Sequence, residues 1–377
     1  MVRRERGCTR SHAMKVAVMG TTMFGGLGTH FYRLLDFFIA EGHETHALAV
    51  EDSPGAFSAP PGLAGGVLMP HGSSTILQKV QKLAGVFRGK RSVRRVAPQL
   101  FVAAAVGRAY ARLADHARRH GAFAIWQSVT CPPPGDALTA EMCRSVDAVA
   151  VQTAGMLAPL RAAAPGLRSG GTLPCFFDTP AADAIAAPPA PGGEIRLAYF
   201  GRLAGNKGLV PFLKIFRDVA AAFPVRLDIH GDGEQRSAIR EEIAALGIGE
   251  IVSMKGRYPD GPAYGELLAS YHALVLPSTE CEGLPLVLLE AMHCGLPLLA
   301  TDIGGMADVA VGNPDVVVTS PRADALADGL RRLVAMLRGG AISNARLKRH
   351  AAENFSNERF AETWRVMLAS PQAFFSK

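Results

Sequence analysis

No stretch of this sequence is both long and apolar enough to cross a bilayer. The longest apolar run, Val96–Ala114, is broken by Pro98, Gln99, Arg108 and Arg112, whereas a spanning helix needs about 20 predominantly apolar residues. Met1–Ala13 is charged and lacks the apolar segment of a secretory signal, so it reads as an N-terminal extension. Cysteine is sparse. Cys8, Cys131, Cys143, Cys175, Cys281 and Cys294 contain no CxxC spacing and no Cys/His cluster, which argues against a zinc site and for free thiols in a reducing cytoplasm. No Asp-x-Asp pair is present to hold a metal. Aromatic residues make up 7% of the chain, and few stand among its basic residues, so nucleic acid is not the expected partner.

What remains is a globular, basic α/β pattern. With 377 residues, 49% of them apolar, the chain exceeds one ordinary core and points to two domains of roughly 100–200 residues each. The net charge of +7 suits an anionic partner, such as a nucleotide, a phosphorylated acceptor or an anionic membrane face.

The apolar run Lys15–Gly20 reads as a buried strand; a Gly-rich turn, a helix from about Thr29 to Glu41 and a strand at Glu44–Val50 complete a βαβ opening. Residues 51–73, rich in Pro, Gly and Ser, read as a loop. Residues 74–120 read as helical, with eleven Lys and Arg between Lys79 and Arg119 against the single acid Asp115. Strands follow at Ala122–Val129 and Ala148–Gln152; the short interval between them leads us to expect a missing strand-helix unit. Residues 181–193 (AADAIAAPPAPGG) read as a linker. Strand candidates then recur at Ile195–Phe200, Val225–His230, Ile251–Lys255, Ala273–Pro277, Leu298–Ala300 and Val316–Val318, with helices between them. Leu209, Phe212, Leu213, Phe216, Val219 and Phe223 keep the helical period. Such alternation predicts parallel sheets with ligands at the carboxyl ends of their strands.

Three constellations carry chemistry. The loop Gly25-Gly26-Leu27-Gly28 lies between a strand and a helix, where backbone amides approach phosphate closely. The dinucleotide fingerprint fails because Phe31 stands where a third small residue belongs. The loop Gly201–Gly208 follows a strand and carries Arg202 and Lys207, two cations able to grip a diphosphate. The segment Glu282-Gly283-Leu284-Pro285 opens a helix, with Pro285 suited to its first position. Glu290 lies further along that helix, so the two acids can bind hydroxyls at two ends of one extended polyol ligand.

Together these motifs resemble the retaining glycosyltransferases of family 4, from Met14 onward and most densely over 195–310. The resemblance implies the GT-B fold, two Rossmann-like domains facing each other across a cleft. Its boundaries would be 1–13 (extension), 14–185 (acceptor domain), 186–355 (donor domain) and 356–377, a closing helix packing back on the first domain. Arg202 and Lys207 would hold the leaving diphosphate, Glu290 the ribose hydroxyls and Glu282 the donor sugar. Gly25, Gly26 and Gly28 would offer backbone amides, Gly256, Arg257 and Tyr258 would lie beside the nucleobase, and Gly283, Leu284 and Pro285 would complete the donor set. Glu282, Arg202 and Lys207 are thus the implied catalytic residues. No cofactor or metal is implied; the nucleoside-diphosphate sugar is a co-substrate, UDP-linked before GDP-linked.

The pattern departs from the family on the acceptor side. No histidine occurs in the strand around Trp126, so Gln127, Ser128 or Thr130 takes its place. The acceptor would be a glycan or lipid of the cell envelope, or a small molecule, handled in the cytoplasm or at the inner membrane face. The basic stretch 79–119 would meet an anionic membrane or a phosphorylated acceptor. A nucleotide-sugar epimerase and a non-catalytic nucleotide-sugar-binding protein are the competing classes for the same fold.

Overall fold

Two parallel sheets organise the chain, and their strands are short apolar runs that can be covered on both faces. The computed structural model describes residues 13–23, 25–51, 53, 55–70, 76–132, 135–167, 169–180, 193–280 and 282–376, with residues 76–79 described by their backbone alone. Nearly all of the extension, the linker and the 185/186 boundary lie outside the described residues, as do Cys8, Cys281 and the Lys79 side chain.

The first sheet comprises β1 (Lys15–Thr21), β2 (Glu44–Glu51), β3 (Gly65–Pro70), β4 (Leu100–Ala103), β5 (Phe123–Ser128), β6 (Ala148–Val151) and β7 (Gly170–Thr172). The second comprises β8 (Ile195–Phe200), β9 (Val225–His230), β10 (Val252–Gly256), β11 (Ala273–Leu276), β12 (Leu298–Thr301) and β13 (Val316–Thr319). Their orders are β3-β2-β1-β4-β5-β6-β7 and β10-β9-β8-β11-β12-β13. In each sheet the chain winds outward from its first strand and then crosses to the other side. The crevices at β1/β4 and β8/β11 are therefore topological switch points, where open α/β sheets bind ligands.

The N-terminal half departs from the sequence reading in four places. Residues 51–73 are not all loop: they contain β3, an edge strand that opens with two glycines and ends on Pro70, features that mask a strand and suit only an edge. Residues 74–120 are not all helical: helices Ile76–Val96 and Arg108–Arg119 flank β4, a fully buried strand of four residues. Nor is a unit missing after β5, because helix Ala137–Ser145 joins β5 to β6. Asp136 caps it, accepting from the Thr139 amide at 2.7 Å. The first helix, Gly26–Ala40, starts earlier than expected, so Gly26 and Gly28 belong to its opening turn.

Cys143, Cys175 and Cys294 are buried free thiols. Cys131 is disulfide-bonded, which corrects the expectation of free thiols for that residue; chain spacing reveals only local cysteine pairs, whereas distant pairing depends on the fold.

The helix Asn357–Ala369, capped by Ser356, packs on the first sheet's helices. Its buried Trp364 meets Phe38 edge-on at 5.8 Å between ring centres, lies against Phe37 and Phe176, and donates its indole N–H to the Pro174 carbonyl at 3.0 Å. Arg365 pairs with Glu41 at 2.8 Å.

Candidate functional site

At the second switch point, the loop after β8 and the turn after β11 converge. The buried Tyr199 hydroxyl donates to the Arg202 carbonyl at 2.7 Å, fixing the loop's first turn. The Arg202 side chain is exposed, with no hydrogen-bond or ion-pair partner among the described residues. Lys207 ends a short 3-10 turn, Gly205–Lys207, and its ammonium lies 2.5 Å from Glu282 Oε2. Glu282 also accepts from Ser278 Oγ at 2.9 Å and Asn206 Nδ2 at 3.3 Å. With the Glu282 side chain only 9% exposed, these three donors compensate a carboxylate that burial would otherwise penalise.

Backbone shape explains why glycine follows Glu282. A Cβ on Gly283 would fall 2.0 Å from Gln152 Oε1 and 2.3 Å from the Val129 carbonyl, both in the first domain. Gln152 brackets Leu284, accepting from its amide at 2.8 Å and donating to its carbonyl at 3.2 Å. Thr130 forms an antiparallel bridge with Glu282. The turn that holds the acid is thus gripped from across the cleft.

Pro285 caps helix Leu286–His293 from the position before its first residue, one place earlier than expected. Glu290, on this helix, accepts from Tyr264 Oη at 2.7 Å. Burial pushes its carboxyl up to about 7, against the Tyr264 hydrogen bond, with Asp178 adding to the rise. Tyr264 stacks on Tyr258 with ring centres 5.0 Å apart, and Phe200 meets Tyr258 edge-on at 5.2 Å. Gly256 has a positive φ of 77° at the end of β10, and Arg257 after it is exposed.

In the first domain, Gly25 caps the opening helix, Gly26 faces Leu286 of the second domain, and Gly28 packs directly under the Met23 carbonyl. A Cβ on Gly28 would stand 2.1 Å from that oxygen, so only glycine closes the turn. Gln127, Ser128 and Thr130 separate. Gln127 is fully buried: its Oε1 lies 2.6 Å from His30 Nε2, and its amide N–H groups donate to the Leu173 and Pro174 carbonyls. Its polar groups serve the core and leave no hydrogen bond evident for an acceptor. Ser128 Oγ donates to the Thr130 carbonyl at 3.0 Å. Thr130 alone of the three is exposed. Asn206, Ser278, Tyr264 and Gln152 were not singled out in the sequence as site residues. Asn206 lies inside the Gly201–Gly208 loop and Ser278 just ahead of the Glu282 segment, while the others reach the site only through the fold.

Residues 182–353 match the family model described as glycosyl transferases group 1. The 2-deoxystreptamine N-acetyl-D-glucosaminyltransferase of Streptomyces fradiae is 31% identical over 140 residues, covering 36% of this chain. The aligned part spans 32% of that relative's length. Among solved structures, sucrose-phosphate synthase from Thermosynechococcus elongatus superimposes with a TM-score of 0.78 at 17% identity, over 96% of this chain and 99% of the other. HepE of Anabaena, in complex with UDP and glucose, gives 0.73 at 14% identity, over 95% and 100%. The chain has the GT-B fold. Its two Rossmann-like domains face each other across the cleft in which the residues above converge.

Proposed function

We propose that this chain is a glycosyltransferase of the glycosyl transferases group 1 family, retaining and metal-independent. It moves a hexose-type sugar from a nucleoside diphosphate, UDP before GDP, to an acceptor hydroxyl. The observation that carries this reading is an exposed Arg202, with no ion-pair partner among the described residues, on the same loop as a Lys207–Glu282–Ser278–Asn206 network at one switch point. A diphosphate leaving group develops negative charge. Arg202 supplies a two-pronged grip and Lys207 a point charge, the two cations standing where other transferases use a metal. Glu282 takes the sugar hydroxyls, and Glu290 takes the ribose hydroxyls beside the Tyr258–Tyr264 wall. The acceptor approaches from the first domain, and its proton leaves with a phosphate oxygen of the donor.

The HepE structure contains UDP, which supports UDP as the first donor series to test. The product belongs to cell-envelope glycan, lipopolysaccharide or glycolipid synthesis, and the basic helix face of the first domain touches anionic membrane. No helix of the described residues is long and apolar enough to cross a membrane.

Melting curves with UDP, GDP, ADP, CMP and dTDP, each with and without EDTA, test the donor site. A nucleotide present at about 100 times its dissociation constant adds about 2.7 kcal/mol. One diphosphate is expected to stand out, unaffected by EDTA. No shift with any of the five would overturn the proposal.

A further inference from the structure

Glu282 and Glu290 are held in different ways. Three donors, one of them an ammonium, surround Glu282. Glu290 receives a single hydrogen bond, from Tyr264 Oη to Oε2 at 2.7 Å, and forms no ion pair among the described residues. Its Oε1 accepts nothing from them and is not sealed from solvent, since the residue is partly exposed. Tyr264 itself is clamped. It lies on helix Pro262–Ala269, with Tyr258 stacked on its ring and Phe200 edge-on at 5.7 Å. The place of Oη is thus set before any ligand arrives. The other groups that face the Glu290 carboxyl do not help it ionise. Asp178, paired with Arg33, repels its charge. The Tyr258 phenol and the Cys294 thiol are neutral, both pushed up by burial. Lys348, on the helix packed against that of Glu290, acts on Cys294.

We infer that Tyr264 is a positioning residue: its hydroxyl anchors one oxygen of Glu290 and leaves the other turned to the ribose of the bound nucleotide. The inference rests on the glycosyltransferase reading, in which Glu290 takes the ribose hydroxyls, and adds the group that keeps Glu290 fit to do so. Ribose hydroxyls donate best to a carboxylate, and so does a phenol. The Tyr264 bond therefore favours the ionised form, against a burial that raises the carboxyl to about 7. Burial also pushes the Tyr264 phenol up, so it remains a donor at working pH. Tyr264→Phe keeps the stacked ring and removes the one donor, so the Glu290 carboxyl should rise further, by about one pH unit.

Titration calorimetry with UDP, from about pH 6 to about pH 9, compares the unmodified chain with Tyr264→Phe. Affinity should level off above about 7 in the unmodified chain and about one unit higher in the variant. The variant then binds UDP about fivefold more weakly near pH 7, and about equally near pH 9. A residue that only packs would weaken UDP by the same factor at every pH, and that result would overturn the inference. A second measurement needs no nucleotide: the stability of each chain is set against that of its Glu290→Gln counterpart as pH is varied. The folded carboxyl lies above its ordinary value, so the stability Glu290 contributes declines from about 4.5 upward and stops declining near 7. In Tyr264→Phe the decline should run about one unit further. UDP binding with an unshifted end point would overturn the inference alone. Failure of the unmodified chain to bind UDP or GDP would overturn the transferase reading and this inference with it.

Discussion

At the residue scale, the two cations of the donor loop differ in what they do without ligand. Lys207 neutralises a mostly buried carboxylate, whereas Arg202 is exposed and has no ion-pair partner among the described residues. Removing one member of a buried pair strands its partner and costs about 3–5 kcal/mol, while loss of an exposed charge costs little. Lys207→Ala and Arg202→Ala should therefore both lower turnover, by on the order of 10²–10³, but only Lys207→Ala should lower the melting temperature. Near-normal turnover in both variants would remove the leaving-group role. Glu290 gives a second contrast. Its carboxyl titrates near 7, so it is charged above that pH and neutral below it, and ribose hydroxyls bind the charged form better. Nucleotide affinity should fall as pH drops from 8 to 6, approaching a limiting slope of about tenfold per pH unit, and Glu290→Gln should flatten that profile. Stability has the opposite sign at this residue. The folded value lies above the ordinary one, so Glu290 favours the folded state below about 4.5, and that contribution is lost as pH rises through 7. His30, buried against Gln127 and lowered to about 4, acts in reverse: its contribution is present above about 6.5 and lost as pH falls through 4.

At the element scale, legibility in the sequence follows burial. β8 and β9 have the bounds expected for them, because apolar residues recur along both, buried at Ile195, Leu197, Val225, Leu227 and Ile229. The Leu209–Ala220 helix buries Leu209, Phe212, Leu213, Phe216 and Val219, five of the six residues that carry its period. β3 escaped because two glycines and a proline look like a turn, and β4 because four residues carry no period. The donor loop was legible for a related reason: Arg202, Lys207 and Glu282 sit on strand-to-helix turns whose glycines mark them, and Glu290 follows on the helix that the second turn opens. Tyr264 and Gln152 were not. Each lies on an unremarkable helix or strand end, and only the crossing of the sheets gives its position a meaning. Trp364 likewise reads as one apolar residue of a helix, yet it ties the chain's last long helix to Phe37, Phe38 and Phe176 in the first domain.

At the scale of the whole molecule, charge is distributed unevenly. Residues 53–114 contain no acid. Within them, helix Ile76–Val96 turns Val86, Val93 and Val96 inward and leaves Val80, Leu83 and Phe87 exposed at 57%, 60% and 72%. Those three lie within two turns on one side of the helix, and exposed Arg88, Arg91, Arg94 and Arg95 continue and flank their stripe. An apolar patch that is costly to leave in water, bordered by cations alone, matches an anionic bilayer surface: the side chains enter the headgroup region while the cations meet lipid phosphate. The chain should therefore co-sediment with vesicles of phosphatidylcholine containing phosphatidylglycerol, and not with phosphatidylcholine alone. Raised salt should release it, because the Debye length shortens from about 10 Å at 0.1 M to about 3 Å at 1 M. Phe87→Asp should abolish sedimentation without lowering the melting temperature, since that side chain packs on little in the folded chain. Each of Arg91→Gln, Arg94→Gln and Arg95→Gln should weaken it about fivefold, the equivalent of roughly 1 kcal/mol per cation. Binding to neither vesicle type, or indifference to Phe87→Asp, would mean that the face is simply solvated and that the acceptor reaches the cleft from solution.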